Sequence, residues 1–202
     1  MKKSIQKPVD SYDRGIRGFG GLLATILLAC LSFSCRSAAP GSATTVPAGT
    51  YYTKFSIRMD GNKSWSTNYR SEKFFPIPIN TEVELLGASR HRFNMKLAGG
   101  RNFTFEHVPK HTLDTAQEAF DSFFSSTPVN LSHFSTGEQA NIKAGKVELG
   151  MSRDAVLAAI GPPPASGTFS LTADTWKYSK TRWMNDLFVC FDGNGGVTSV
   201  GK

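Results

Sequence analysis

The sequence predicts an α+β protein in which a small β-barrel precedes a unit of two short helices and a three-stranded antiparallel sheet. Short strand-like segments separated by turn residues fill residues 51–108, as is typical of a small barrel. A helix with a polar cap and an apolar face is expected to begin at Arg153 and to stop at Gly161. Segments rich in aromatic and β-branched residues follow between residues 175 and 200.

Residues 1–34 are predicted to be an export signal. The first part is basic, and its charges are Lys2, Lys3, Lys7, Arg14 and Arg17. Residues 19–34 are uncharged and mostly apolar. This run is short for a membrane span, which needs about 20 residues.

Two cysteines at the end of the apolar run are candidates for lipidation. Cys30 follows Leu27-Leu28-Ala29, which places leucine and a small residue where a bacterial lipobox prefers them. Cys35 fits that pattern less well but stands where the apolar run ends. We favour Cys30, keep Cys35 open and expect one of the two to be acylated. An ordinary signal peptide or an uncleaved anchor is the alternative.

Residues 35–49 are predicted to be a flexible tether. They are small, polar and interrupted by proline, so they cannot bury enough apolar surface to order themselves. A lipid-anchored domain needs such a segment to stand clear of the headgroups.

Residues 50–111 are predicted to form the barrel. Residues 51–59 alternate between apolar and polar, which indicates one strand, and Asp60-Gly61 then turns the chain. The other strands are expected at residues 64–69, 81–86, 92–97 and 102–108.

The segment Ile77-Pro78-Ile79-Asn80-Thr81-Glu82-Val83 resembles the Ile-Pro-x-Gly-Thr-x-Val start of bacterial SH3-like barrels. This chain has Asn80 where that family has glycine. Asparagine also tolerates left-handed backbone geometry, so the position is compatible with the resemblance.

The barrel is expected to carry the basic surface of the protein. Residues 51–111 hold ten Lys and Arg against five Asp and Glu, whereas residues 112–202 hold seven against nine. Such a surface could meet anionic lipid headgroups, at roughly 1 kcal/mol per basic residue near the membrane. An ordinary solvated face is the other interpretation. The pI of 9.4 includes charge that leaves with the export signal, so we predict no nucleic-acid partner.

Residues 112–134 are predicted to hold a connecting helix. Asp114 or Thr115 can cap it, and it is expected to run to about Ser126, before Pro128. Its apolar side is Ala116, Ala119, Phe120, Phe123 and Phe124. That side is expected to cover one end of the barrel or the space between the two units.

Residues 135–202 are predicted to form the helix-and-sheet unit. Ser135 and Glu138 have the capping-box spacing and open its first helix. Ser152 can cap the second helix. Strands are expected at residues 175–178, 187–191 and 197–200, with a glycine-dependent turn at residues 192–196.

This last unit resembles the SmpA/OmlA (BamE-like) lipoprotein domain. The residues that carry the resemblance are Gly150, Met151, Ser152, Arg153, Gly161, Pro162, Trp176 and Tyr178. The resemblance implies an accessory scaffold at the periplasmic face of the outer membrane, where relatives assist the machinery that inserts β-barrel proteins. This chain departs from the stand-alone family member by its extra barrel.

The sequence offers little for catalysis, and we predict a protein that is not an enzyme and has no cofactor. It lacks GxSxG, HExxH and paired CxxC motifs. His107 and His111 would share a face and could hold a metal only if their segment were helical. That segment reads as a strand followed by Pro109, so no metal site is predicted. Cys190 lies in an apolar strand and is expected to be a buried thiol.

Two exposed-looking features are candidates for partner contact. One is the long loop after the second helix, which ends in Phe169. The other is a hairpin that presents Arg182, Trp183 and Met184, where a tryptophan beside an arginine is a common interface anchor. A packing role for Trp183 is the alternative.

The function expected from these observations is that of a non-catalytic envelope lipoprotein. It would act as a scaffold or partner-binding protein for an outer-membrane or periplasmic protein, and its lipid anchor would hold it at the membrane. The alternative is a peptidoglycan-binding SH3-like module on a lipid anchor.

Metabolic labelling with a palmitate analogue tests the anchor. We expect label in the wild-type chain and in Cys35→Ala, and loss of label in Cys30→Ala, because only the thiol can carry the lipid. The reverse pattern would move the anchor to Cys35. An unlabelled wild-type chain would contradict lipidation.

Overall fold

The chain folds around two hydrophobic cores, which follow successive halves of the sequence except that Ile79 of the first half packs in the second core. The protein is represented by a computed structural model that describes residues 46–182 and 186–201. Within these residues the first half is defined as residues 46–125 and the second as residues 126–201. Strands and helices occur in both halves, so the predicted α+β class is confirmed.

The first half contains most of the strands. Its elements are β1 Gly49–Thr53, β2 Ile57–Met59, β3 Lys63–Trp65, β4 Phe75–Ile77, β5 Glu82–Ser89, β6 Arg92–Leu97, β7 Asn102–Glu106, α1 Pro109–Thr112, α2 Ala116–Phe123 and β8 Phe124–Ser125. Six of these strands form a curled sheet in the order β3-β7-β6-β5-β1-β8, and β2 pairs with β4 separately. Neighbours in the large sheet are antiparallel except β3 and β7.

Phenylalanine dominates the first core. The buried phenylalanines of this core are Phe55, Phe93, Phe103, Phe105, Phe120, Phe123 and Phe124. The ring of Phe105 lies 4.7 Å from that of Phe123, which joins β7 to α2. The apolar side of α2 therefore seals this core, as its spacing predicted.

The prediction of one strand over residues 51–59 is wrong. Residues 54–56 leave the sheet, because the amide of Lys54 donates to Phe123 O and that of Ser56 donates to Ala159 O. Ser56 is buried, although alternation placed it on the outer face. Partners distant in sequence thus divide the segment into β1 and β2.

The expected strand at residues 64–69 is also shorter than predicted. It is limited to β3, and the chain then forms an irregular segment in which Ser66, Thr67, Asn68, Arg70 and Ser71 are buried. Asn68 adopts a left-handed conformation with φ of 52°. A polar segment of this kind gives no periodic signal in the sequence.

The helix expected to reach Ser126 ends at Phe123. Residues Phe124 and Ser125 form β8, which pairs with β1 and becomes the edge strand of the large sheet. Thr115 is the cap, and together with Glu118 it forms a capping box. Pairing with the sheet therefore ends the helix before Pro128 does.

The second half has the order of elements that the sequence predicted. Its elements are α3 Thr136–Ala144, α4 Arg153–Ile160, β9 Thr175–Ser179, β10 Asp186–Phe191 and β11 Val197–Gly201. The strands form an antiparallel sheet in the order β11-β10-β9, so the predicted meander is confirmed. Trp176, Tyr178 and Val189 are buried between this sheet and the helices.

Glu138 links the starts of α3 and α4. Its carboxylate accepts hydrogen bonds from the amide and hydroxyl of both Ser135 and Ser152. These bonds, chiefly those from Ser152, lower the pKa of Glu138 to about 2, so the carboxylate is ionised at neutral pH. Both predicted caps are confirmed, and one side chain couples them.

Gly161 lets the end of α4 approach the first half. Its φ is +77°, and a Cβ atom at this position would lie 2.3 Å from the ring of Phe55. Only glycine meets both requirements without rearrangement. The stop signal in the sequence is therefore also a point of contact between the halves.

We predict that Gly161→Ala destabilises the protein by at least about 2 kcal/mol, since the methyl group adds both backbone strain and overpacking. Urea unfolding monitored by circular dichroism measures this change. Gly137→Ala is the control: a Cβ atom there meets nothing within 4 Å, and the position lies inside α3. It is expected to stabilise by about 0.5 kcal/mol. Equal effects of the two substitutions would contradict the role given to Gly161.

Candidate partner-binding surface

Arg153 fixes the loop that leads to β9. Its guanidinium lies 4.2 Å from the ring centroid of Phe191 and donates to Leu171 O and Ala173 O. It also pairs with Asp174 at 3.2 Å. Stacking and hydrogen bonds together hold residues 171–174 against the sheet.

The other family-motif residues support the same architecture. Gly150 has φ of +82°, Met151 is buried, and Ser152 caps α4. The indole of Trp176 donates to Leu171 O, and the hydroxyl of Tyr178 donates to Gly161 O. Burial raises the pKa of Tyr178, so this hydroxyl remains a donor.

Pro162 opens the long loop predicted to be exposed, but most of that loop is anchored. Pro163, Pro164 and Thr168 are buried. The Thr168 hydroxyl accepts from the amide of Lys177, and the amide of Ser166 donates to His111 O. Phe169 differs, because 89% of its surface is exposed. The loop thus presents one aromatic side chain from a stiff base.

A groove lies beside Phe169 and joins the two halves. It has a volume of about 210 Å³. Its lining includes Thr112, Asp114, Pro163, Pro164, Phe169 and Leu171. We call this feature the Phe169 groove; its walls are apolar on the loop side and polar on the side of residues 112–114.

Leu113 adds a second exposed apolar side chain next to the groove. It follows α1 in the left-handed conformation, with φ of 60°, and 68% of its surface is exposed. Glycine or asparagine normally occupies such a position, since left-handed geometry costs other residues roughly 1 kcal/mol. Because the leucine side chain is exposed, no burial of apolar surface offsets this conformational cost. This unfavourable choice suggests a role outside the stability of the free chain.

A chain of polar side chains runs from the groove to a cleft on the first half. The Thr112 hydroxyl donates to Asp114, and Asp114 Oδ1 accepts from His107 Nε2 at 2.9 Å. His107 is buried, and its Nδ1 lies 3.4 Å from Nδ1 of exposed His91. The structure thus pairs His107 with Asp114 and His91.

The cleft around His91 is basic. It has a volume of about 360 Å³, and its lining is His91, Arg92, Glu106, His107, Val108, Pro109 and Lys110. We call it the His91 cleft. Arg90 lies beside His91 on the same turn. Burial is the largest cause that lowers the pKa of His91, and the nearby charge of Arg90 lowers it further.

The remaining predicted contact residues are placed as follows. Arg182 is exposed, whereas Trp183 and Met184 lie outside the described residues, as do Cys30 and Cys35. The expectation that Cys190 is buried is wrong, since its side chain lies on the outer face of β10 and is half-buried. Hydrogen bonds from Ser199 and Thr175 lower the pKa of this thiol.

Within the part of the chain that the structure describes, no three His, Cys, Asp or Glu side chains are grouped so as to hold a metal ion. In the same residues, no helix combines the length and apolar character that a membrane crossing requires.

The sequence predicted Phe169 as a contact residue from its place in the loop. It did not indicate that Leu113 and Asp114 lie at the same groove, or that His91 contacts His107. A left-handed leucine has no local signature in the sequence. The pairing of His91 with His107 depends on the register of β6 with β7, which brings the ends of these strands together.

Comparisons of this chain with family models, curated proteins and solved structures returned no match.

Proposed function

We propose that this protein is a non-catalytic, lipid-anchored adaptor of the bacterial envelope, which binds a protein partner through Phe169 and its groove. The first half would be an SH3-like module and the second a BamE-like module. The anchor would be an acylated Cys30 or Cys35, placing the chain at the periplasmic face of the outer membrane. A link to outer-membrane protein assembly follows from the resemblance of the second half.

The observation that carries the proposal is an aromatic side chain left in solvent on an anchored loop. Phe169 is 89% exposed, yet Thr168 before it is buried and the turn after it is held by Arg153. Burying a phenylalanine side chain contributes about 1.5–3 kcal/mol. Because the loop is already ordered, little conformational entropy would be lost on binding.

The surroundings of Phe169 favour a protein over a small ligand. Leu113 and Leu171 are also exposed, at 68% and 44%, so the apolar surface extends beyond the groove itself. Polar groups of Thr112 and Asp114 line the opposite wall. An apolar centre with a polar rim is the usual composition of a protein interface.

The alternative is a peptidoglycan-binding role for the first half. The basic residues around the His91 cleft favour it, because the wall contains carboxylates. Under this alternative the full chain would sediment with purified sacculi, and changes at Phe169 would have no effect on sedimentation.

Affinity purification of the full chain from crosslinked envelopes tests the adaptor proposal. We expect Phe169→Ser to reduce recovery of a specific envelope partner about tenfold or more, as for a central interface aromatic. Leu149→Ser is the matched control, since Leu149 is 69% exposed but does not line the groove. Recovery of a component of the barrel-assembly machinery would support the outer-membrane link.

A second variant separates binding from stability. Leu113→Asn removes an exposed apolar side chain and relieves its backbone strain, so it is expected to keep or raise the free energy of unfolding while reducing recovery of the partner. Equal recovery with Phe169→Ser, Leu113→Asn and Leu149→Ser would contradict the proposal.

A further inference from the structure

The His91 cleft collects basic side chains from separate parts of the first half. His91 lies on the turn between β5 and β6, Arg92 begins β6, and Lys110 belongs to α1. These three residues line one cavity of about 360 Å³. The cavity thus presents two positive groups, Arg92 and Lys110, and the imidazole of His91 to a single ligand.

The only carboxylate that lines the cleft is already neutralised. Glu106 Oε1 pairs with Lys63 at 2.9 Å, and Oε2 accepts from the indole of Trp65 at 3.0 Å. Arg92 Nε lies 3.8 Å from Oε1, a longer contact than that of Lys63. Within residues 46–182 and 186–201, Arg90 and Lys110 form no salt bridge. The cleft therefore keeps uncompensated positive charge.

The polar chain from Thr112 determines how His91 can bind a ligand. His107 Nε2 donates its proton to Asp114, so Nδ1 of a neutral His107 is an acceptor. The bond between the two imidazoles then requires the proton on Nδ1 of His91. Nε2 of His91 is left without a proton, and it can donate to an anion only after His91 takes one up.

We propose that the His91 cleft binds the phosphate group of a phosphomonoester, with uptake of a proton by His91. Arg92 and Lys110 would donate to the phosphate oxygens, and the imidazolium of His91 would add a third donor. A phosphomonoester suits this arrangement because it offers three acceptor oxygens and a charge between −1 and −2 at neutral pH. The same chemistry occurs in the headgroup of phosphatidic acid and in soluble phosphate.

Phosphate binding is expected to shift the pKa of His91 in a defined direction. Burial, Arg90 and His107 lower the pKa of His91, so the free cleft holds a neutral imidazole at neutral pH. A bound phosphate would oppose these effects and raise the pKa. A phosphomonoester also takes up a proton, at about pH 6. The rise in the pKa of His91 on binding, rather than the pH dependence of affinity, therefore reports the coupling. Arg92, Lys110, Glu106 and His107 also face His91 across the cleft.

The test uses the full chain in nanodiscs of phosphatidylcholine and follows the imidazole signals by NMR during titration with inorganic phosphate. We expect a saturable shift of the His91 signal and a rise in its pKa. Lys110→Gln is expected to weaken binding about tenfold, since it removes one charged donor. Lys143→Gln, on α3 and away from the cleft, is the matched control and is expected to change nothing.

Nanodiscs with equal parts of phosphatidylcholine and phosphatidic acid distinguish the two sources of phosphate. A shift of the His91 signal without added phosphate would assign the site to a lipid headgroup, and a shift only with added phosphate would assign it to a soluble ligand. No shift in either case would overturn the proposal, as would equal binding by wild type and Lys110→Gln. These outcomes do not depend on Phe169, so failure here leaves the adaptor proposal intact.

Discussion

The structure depends on the hydrogen-bond donors that the carbonyl groups at the C-terminal end of α4 find. The last carbonyl groups of a helix have no partner within the helix, and a buried carbonyl without one costs about 1–3 kcal/mol. Here the first half supplies the partners. The amide of Ser56 donates to Ala159 O, and the side-chain amide of Asn68 donates to Ile160 O at 2.7 Å and to Pro162 O at 3.0 Å. We call this set of contacts the α4 junction.

Arg70 stabilises the α4 junction through hydrogen bonds, at the cost of burying a charged guanidinium. Its guanidinium is buried and donates to Ser56 O and to Asn68 Oδ1, and its backbone amide donates to Ser179 O. Burial, with a smaller effect from Arg58, lowers the pKa of Arg70 to about 9, so the group stays charged at neutral pH. The hydrogen bonds to Ser56 O and Asn68 Oδ1 offset part of the cost of burying this cation. The junction therefore specifies one arrangement of the halves, and that arrangement positions Pro162 and the loop leading to Phe169.

The sequence predicted features that depend on neighbouring residues well, and features that depend on residues far apart in the sequence poorly. The caps at Ser135 and Ser152 and the three-strand meander depend on residues close in sequence, and all are present. Asn80 also adopts the left-handed geometry expected of it, and its side chain additionally binds Val129. The break at residues 54–56 and the irregular segment with Asn68 were missed, because their hydrogen-bond partners lie in α2 and α4. Leu113 was missed for a related reason, since only the backbone reveals its strain.

Native-state hydrogen exchange tests most directly whether the α4 junction joins the halves into one cooperative unit. Asn68→Gly removes the side-chain donors but keeps the left-handed backbone, which has φ of 52°. We expect amides of β5 in the first half and β10 in the second to lose protection together, by about 2 kcal/mol. Loss of protection confined to one half, or full retention in both, would contradict it.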